Sequence, residues 1–207
     1  MFQPQSISAQ AIATLQNDCT RRWHQVEGLP ISQGDPFLLI VARQHAANFE
    51  LWHTEDQARL PVASDAQIAA VKRAIDKINQ RRNDLAEACD DFLLQLLAPH
   101  QLPAPAAPLH SESPGLMIDR LSILALKIFH TAEQIDRKDT PAGHIERNRH
   151  RLAILTEQQS DLVQCFDRVW AQVLAGTLRF KVYRQFKMYN DPDLNPAIYN
   201  SSRSTTD

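Results

Sequence analysis

The chain has 207 residues, of which 43% are hydrophobic and 22% charged, and its formal net charge is −2. This length and composition favour one globular domain spanning residues 1–207, with a sizeable core. The near-neutral charge provides none of the basic excess of a nucleic-acid-binding protein, so no nucleic-acid partner is expected. Five glycines and few β-branched runs argue against a sheet-rich fold.

The sequence predicts neither a signal peptide nor a membrane span. The N-terminus lacks a basic region followed by an apolar run. The best apolar candidate, residues 121–129, is far shorter than the roughly 18–20 residues that cross a bilayer. The three cysteines are far apart and show no metal-binding spacing. We therefore expect a cytoplasmic protein, and we identify no metal ligand and no cofactor.

Apolar residues at spacings of three and four predict the first two helices. The first covers residues 6–27. The second has Asp35 as its N-cap, begins at Pro36 and runs to about Leu60. It is apolar in its first turns and polar in its last ones.

The third predicted helix begins at Ser64 and Asp65 and ends before Pro99. Its apolar stripe alternates steps of three and four, which indicates knobs-into-holes packing. The stripe comprises Ile68, Val71, Ile75, Ile78, Arg82, Leu85, Cys89, Phe92 and Leu96. Arg82 is its one charged residue, and if it is buried it needs a carboxylate or carbonyl partner.

A proline-rich connection, residues 99–112, is predicted to cross the bundle as a strap. The fourth helix follows, with Ser113 as N-cap and Pro114 as first residue, and runs to about Asp139. It is apolar on nearly every side, which predicts a buried central helix whose polar groups pair with other helices. For Asp119 we favour a structural ion pair with Arg82 or a cation of the tail.

Two alternatives remain open at the start of this helix. Asp119 and Arg120 could form an anion or metal site, and the backbone N–H groups after Ser113 could hold a phosphate. His130 is expected to be a hydrogen-bonded core residue, with general-base work as the less favoured alternative.

The fifth predicted helix carries apolar residues from Ile145 to Val173 and ends near Gly176. The tail, residues 179–192, interleaves aromatic residues with cations. We expect it to fold over one end of the bundle with its rings packed and its cations at the rim, and residues 201–207 to be disordered. The predicted architecture is therefore an all-α, up-and-down bundle of about five main helices with a C-terminal tail packed over one end.

Polar residues cluster on the second helix, where five of them share one face: His45, Asn48, Trp52, Glu55 and Arg59. This face is either a solvated helix end with a Glu55–Arg59 ion pair or the wall of a small-ligand pocket. Glu50 and His53 have the spacing of a di-iron ligand pair, but no second copy exists. Over the whole chain, the candidate ligand-binding residues are His45, Asn48, Trp52, His53, Glu55, Asp56, Asp119, Arg120, Lys127, Lys187, Tyr189 and Asn190.

Three motifs together resemble a bacterial family of unknown function and of about this length. They are NFELWHTED at residues 48–56, PGLMIDRLSIL at 114–124 and FKMYNDPDLNP at 186–196. Members of that family are often encoded near lipopolysaccharide or other cell-surface sugar-transferase genes. The resemblance implies surface-glycan assembly as the biological context and assigns no catalytic residue.

Three functional hypotheses follow. The leading one is a non-enzymatic helical module that binds a sugar-phosphate or a protein partner in glycan assembly. The second is an enzyme acting on a sugar-phosphate or nucleotide-sugar. In it, Asp119 or Glu55 would be a base or metal ligand, and a cationic side chain would bind the phosphate. The phosphate-binding candidates are Arg120, Lys127 and Lys187. The third is a purely structural homo-oligomer.

The first two hypotheses are favoured over the third if the polar motifs line one solvent-reachable cavity. The residues concerned are Trp52, His53, Asp56, Asp119, Arg120 and Tyr189.

Overall fold

The computed structural model describes residues 3–26, 34–186, 193–196 and 200. Within these residues it contains five α-helices and no strand, so the predicted all-α class is confirmed. The helices are α1 (Ala9–Trp23), α2 (Pro36–Ala58), α3 (Asp65–Leu97), α4 (Pro114–Asp136) and α5 (His144–Leu174), with short 3₁₀ helices at Pro4–Ser6 and Ala98–His100.

The predicted N-caps of α2, α3 and α4 are confirmed. The Asp35 carboxylate accepts the first free backbone N–H groups of α2. Ser64 forms a capping box with Gln67 at the start of α3. Ser113 caps α4 immediately before Pro114. These caps satisfy N–H groups that have no partner inside the helix, which is why such residues mark helix starts in the sequence.

Two helices are shorter than predicted. α1 covers Ala9–Trp23 rather than 6–27, because Ser8 caps it and three preceding residues form a separate 3₁₀ turn. α4 ends at Asp136 rather than near Asp139.

The helices pack as two hairpins, α2 with α3 and α4 with α5, and α4 contacts all four other helices. The predicted central position of α4 is therefore confirmed. Its burial is confined to the first half, up to Leu126, and most residues beyond that point are half-buried or exposed. One hydrophobic cluster takes residues from every helix, including Ile12, Phe37, Leu93, Ile118 and Phe166.

The apolar stripe of α3 is buried in its middle and late turns, as predicted, for example at Ile75, Ile78 and Cys89. Ile68 is exposed, so the prediction is wrong for the first turns of α3. The last turns of α2, from His53 to Ala58, are mostly polar.

The tail joins the proline-rich strap through Arg179. Its backbone N–H donates to the Pro108 carbonyl at 2.9 Å and its carbonyl accepts the His110 N–H at 2.8 Å. Phe180 is buried beside this junction. Further on, Arg184 pairs with Glu87 and Asp91 of α3.

The predicted packing of the tail aromatics is wrong at two positions. Tyr183 is 47% exposed and Phe186 is 85% exposed. Arg184 fastens this segment to carboxylates on the surface of α3, which keeps the neighbouring rings away from the core. The candidate residues Lys187, Tyr189 and Asn190, and the predicted disordered segment 201–207, lie outside the described residues.

A search of the described helices finds none with the length and apolar character needed to cross a membrane.

Candidate functional site

Asp119 on α4 lies at the centre of a buried polar network. Its Oδ1 accepts hydrogen bonds from Gln44 Nε2 at 2.5 Å, Asn48 Nδ2 at 2.9 Å and Arg82 Nε at 2.8 Å. Its Oδ2 accepts one from Arg82 Nη2 at 2.5 Å. The favoured ion pair between Asp119 and Arg82 is therefore present. The hydrogen bond to Asp119 also raises the pKa of Arg82, so the guanidinium stays charged.

Three of these four bonds end on Oδ1 and one ends on Oδ2. Asp119 is buried and already holds the Arg82 guanidinium and two amides, so the geometry favours its structural role. Arg120 points the other way, is exposed, and binds Glu112 at 2.8 and 2.9 Å. Adjacent helix residues point about 100° apart, which explains the separation of Asp119 from Arg120.

His45 on α2 extends the network towards α1. The Thr20 hydroxyl donates to the Gln16 carbonyl, so its oxygen accepts from His45 Nε2–H at 2.8 Å. His45 Nδ1 then accepts from the Ser122 hydroxyl at 2.7 Å, and the Ser122 oxygen accepts from Asn48. Burial lowers the pKa of His45 to about 3, so the ring is neutral. With these proton positions, each hydrogen bond in the series from Gln16 to Asn48 has one donor and one acceptor.

A cavity of about 320 Å³ opens where the network ends, between α2, α3 and α4. It is lined by Asn48, Leu51, Trp52, Glu55, Asp56, Arg59, Arg82, Ile123 and Leu126. The α2 face predicted from the sequence thus continues from the interior at His45 to the cavity wall. The predicted Glu55–Arg59 ion pair is present at 3.0 Å on that wall.

A larger depression of about 860 Å³ lies between α4 and α5. Its polar lining includes Arg120 and Lys127 of α4, and Ile123 borders both cavities. The predicted site residues that the structure describes are therefore divided. Trp52 and Asp56 line the smaller cavity, whereas Arg120 and Lys127 line the larger one.

His53 belongs to a third group, which joins three helical regions. His24 directly follows α1, His53 lies on α2 and His130 lies on α4. One ring nitrogen of each lies within 4.8 Å of those of the other two. The Nε2 atom of each ring is buried and has no hydrogen-bond partner among the described residues. We call these residues the histidine cluster.

Neighbouring groups orient two of these rings. His24 Nδ1 lies 2.7 Å from the Thr20 carbonyl oxygen, so it carries the proton and donates. His130 Nδ1 lies 2.9 Å from Glu133 Oε2 and donates to that carboxylate. In the neutral rings both Nε2 atoms are then acceptors with free lone pairs. Burial, together with the neighbouring histidines, lowers the pKa of His53 and His130, which favours these neutral forms.

Aromatic rings enclose the histidine cluster. Trp52 stacks on His130 with centroids 4.7 Å apart and an interplanar angle of 6°. Phe129 stacks on His24 at 4.1 Å, and Phe49 meets the edge of His53 at 4.5 Å. Sequence reasoning considered His53 and His130 singly and missed His24, because no local spacing relates the three. Glu50, whose spacing from His53 matches that of a di-iron ligand pair, pairs with Arg81.

The carboxylate of Asp90 on α3 occupies the place at the N-terminus of α4 where a phosphate could bind. Gly115 N–H donates to Asp90 Oδ1 at 2.7 Å, and the Ser113 hydroxyl donates to Oδ2 at 2.5 Å. The phosphate alternative for this helix start is therefore wrong. A Cβ at Gly115 would lie 2.2 Å from the Ala86 carbonyl oxygen, so only glycine allows this close approach of α4 to α3. Burial raises the pKa of Asp90 to about 6.

Comparison with known proteins identifies one family. A family model described as "Protein of unknown function (DUF4254)" matches residues 39–182, more than half of the chain. The motifs at residues 48–56 and 114–124 lie inside this match, and the motif at 186–196 lies outside it. No curated protein matches the chain, and no solved structure does.

Proposed function

The chain belongs to the DUF4254 family of proteins of unknown function, and we propose that it is a sugar-binding accessory protein of bacterial cell-surface glycan assembly. Its binding site is the cavity of about 320 Å³ between α2, α3 and α4. Small-ligand sites are typically concave and mostly apolar, with a few polar groups that set the orientation of the ligand.

The observation that carries the proposal is the placement of Trp52, Glu55 and Asp56 on one wall of this cavity. An aromatic side chain packs well against the C–H face of a sugar ring. Ionised carboxylates accept hydrogen bonds from sugar hydroxyl groups, and such charge-assisted bonds are stronger than neutral ones. Leu51 and Ile123 supply apolar surface beside them.

The charges of the lining favour a neutral sugar unit over a phosphate. Arg82 is neutralised by Asp119, and Arg59 is paired with Glu55. The remaining carboxylate, Asp56, repels an anion. A phosphate or nucleotide attached to the sugar would therefore extend out of the cavity. The glycan context itself is supported by the resemblance of the chain's motifs to a family often encoded near lipopolysaccharide sugar-transferase genes.

The proposal is tested by calorimetric titration of the full chain with glucose, galactose, N-acetylglucosamine and their uridine diphosphate forms. At least one should bind, and Glu55→Gln should weaken it by roughly 10–100-fold, the effect of losing one hydrogen bond to a charged group. The matched control is Glu146→Gln, which removes an exposed ion pair with Arg149 in the first turns of α5, outside the cavity lining, and should leave affinity unchanged. Absence of binding by all six compounds, or an unchanged affinity in Glu55→Gln, refutes the proposal.

A further inference from the structure

We propose that His24, His53 and His130 bind one transition-metal ion through their Nε2 atoms, with Zn²⁺ the best-fitting ion and one coordination position left open. This proposal stands on the histidine cluster alone and does not depend on sugar binding in the neighbouring cavity. Three imidazoles with an open position are a ligand set that zinc accepts, and imidazole also suits copper, nickel and iron.

The geometry requires only a small adjustment. In a tetrahedral site with metal–nitrogen distances of about 2.0–2.1 Å, two ligand nitrogens lie about 3.3 Å apart. Here the three ring nitrogens already lie within 4.8 Å of one another. Side-chain rotations that move each ring inward by less than about 1 Å bring them to ligand distance. The rings come from three separate helical regions, so packing of the bundle brings the ligands together.

The hydrogen bonds of the other ring nitrogens are those of metal-binding histidines. Such a histidine usually donates its second N–H to a carbonyl or carboxylate, which sets the tautomer and raises the basicity of the ligand nitrogen. His24 does this to the Thr20 carbonyl, and His130 to Glu133. Both leave an Nε2 lone pair directed into the cluster.

Packing against aromatic rings does not account for this arrangement. Aromatic neighbours explain why the rings are partly buried, but not why three histidines with buried, unpartnered Nε2 atoms lie together. A buried acceptor without a partner costs free energy, and most such atoms in folded proteins are paired. A bound cation satisfies all three at once.

Asp56 lies close enough to His53 and His130 for its charge to act on both. It also lines the cavity of about 320 Å³. Its negative charge favours a cation held between the two rings. Trp52 stacks on His130 and also lines this cavity, so the histidine cluster and the cavity are neighbours.

The test uses the full chain after removal of metals with a chelator. Co²⁺ is titrated while visible absorption is recorded, and Zn²⁺ is then added as a competitor. We expect one equivalent of Co²⁺, the intense absorption of a tetrahedral ion, and displacement by Zn²⁺. His53→Gln and His130→Gln should each weaken binding at least about 100-fold. The control is His150→Gln, an exposed histidine on α5, which should bind like the wild type.

Glu133→Gln separates a metal site from a merely structural cluster. The exposed Glu133 positions His130 without being a ligand, and loss of such an outer hydrogen bond weakens metal binding by about 10–100-fold. Circular dichroism establishes that each variant is folded, and His24→Gln replaces any that is not. The proposal is refuted if the wild type takes up less than half an equivalent of either metal. It is also refuted if the folded histidine variants retain wild-type affinity.

Discussion

The Asp119 network and the histidine cluster are two polar regions of the same bundle, and both take side chains from α2 and α4. In the first, Asp119 accepts four hydrogen bonds, and His45 has a partner at each ring nitrogen. In the second, three buried Nε2 atoms converge, and no donor among the described residues reaches them. In the first region the buried charges and the histidine are paired within the protein, and only the Gln44 Oε1 atom has no partner among the described residues. In the second, we propose that a ligand supplies the missing partner.

This difference separates structural from functional polarity. A buried polar network whose charges are paired adds rigidity and specifies how the helices meet. Several buried ring nitrogens that lie together without a donor are costly in the free protein, which is why we propose that something binds there. The contrast leads to three predictions about stability, from the largest effect to the smallest.

Loss of the Asp119 carboxylate should have the largest effect. Asp119→Ala leaves the Arg82 guanidinium and two amides without their acceptor in the interior, so we expect a loss of about 3–5 kcal/mol in the free energy of unfolding. Urea denaturation measures it. The matched control is the neighbouring residue, since Arg120→Ala breaks an exposed ion pair with Glu112 and should cost no more than about 1 kcal/mol. If the two variants lost the same free energy of unfolding, the buried network would contribute no more to stability than a surface ion pair.

His45 should make the protein sensitive to acid. Its folded pKa of about 3 lies below the unfolded value of about 6.5, so the unfolded state binds more protons between these values. The contribution of neutral His45 is complete above pH 6.5 and is lost as the pH falls towards 3. Between pH 7 and 4.5 this amounts to about 2–3 kcal/mol.

The His45→Gln variant isolates this term because it cannot titrate. Its free energy of unfolding should fall by about 2–3 kcal/mol less than that of the wild type over the same pH interval. If His45→Gln and the wild type lose the same amount, His45 is not held neutral by burial.

The elements that could be predicted from the sequence depend on local chemistry. Asp35, Ser64 and Ser113 marked helix starts correctly because a cap satisfies N–H groups within its own first turn. The Asp119–Arg82 pair could be named as one of two options because Arg82 was the one charge in the apolar stripe of α3 and Asp119 lay on an apolar helix, and a buried charge needs a partner.

The features that were missed depend on how separate helices are rotated against one another. The histidine cluster combines residues 24, 53 and 130, and no spacing within one helix relates them. The Asp90 cap of α4 was also missed, since the free helix start and its occupant lie on different helices. Arg120 and Asp56 looked like parts of one site, but the helices place them in different cavities.

The smallest effect is expected for the histidine cluster without metal. His53→Gln removes no hydrogen bond made by Nε2, so in the presence of a chelator it should change the free energy of unfolding by less than about 1 kcal/mol. Zn²⁺ at 100 times its dissociation constant should then stabilise the wild type by about 2.7 kcal/mol and leave the variant unchanged. A large loss in the chelator-treated variant would mean that His53 is held by the protein alone, and the contrast between the two regions would disappear.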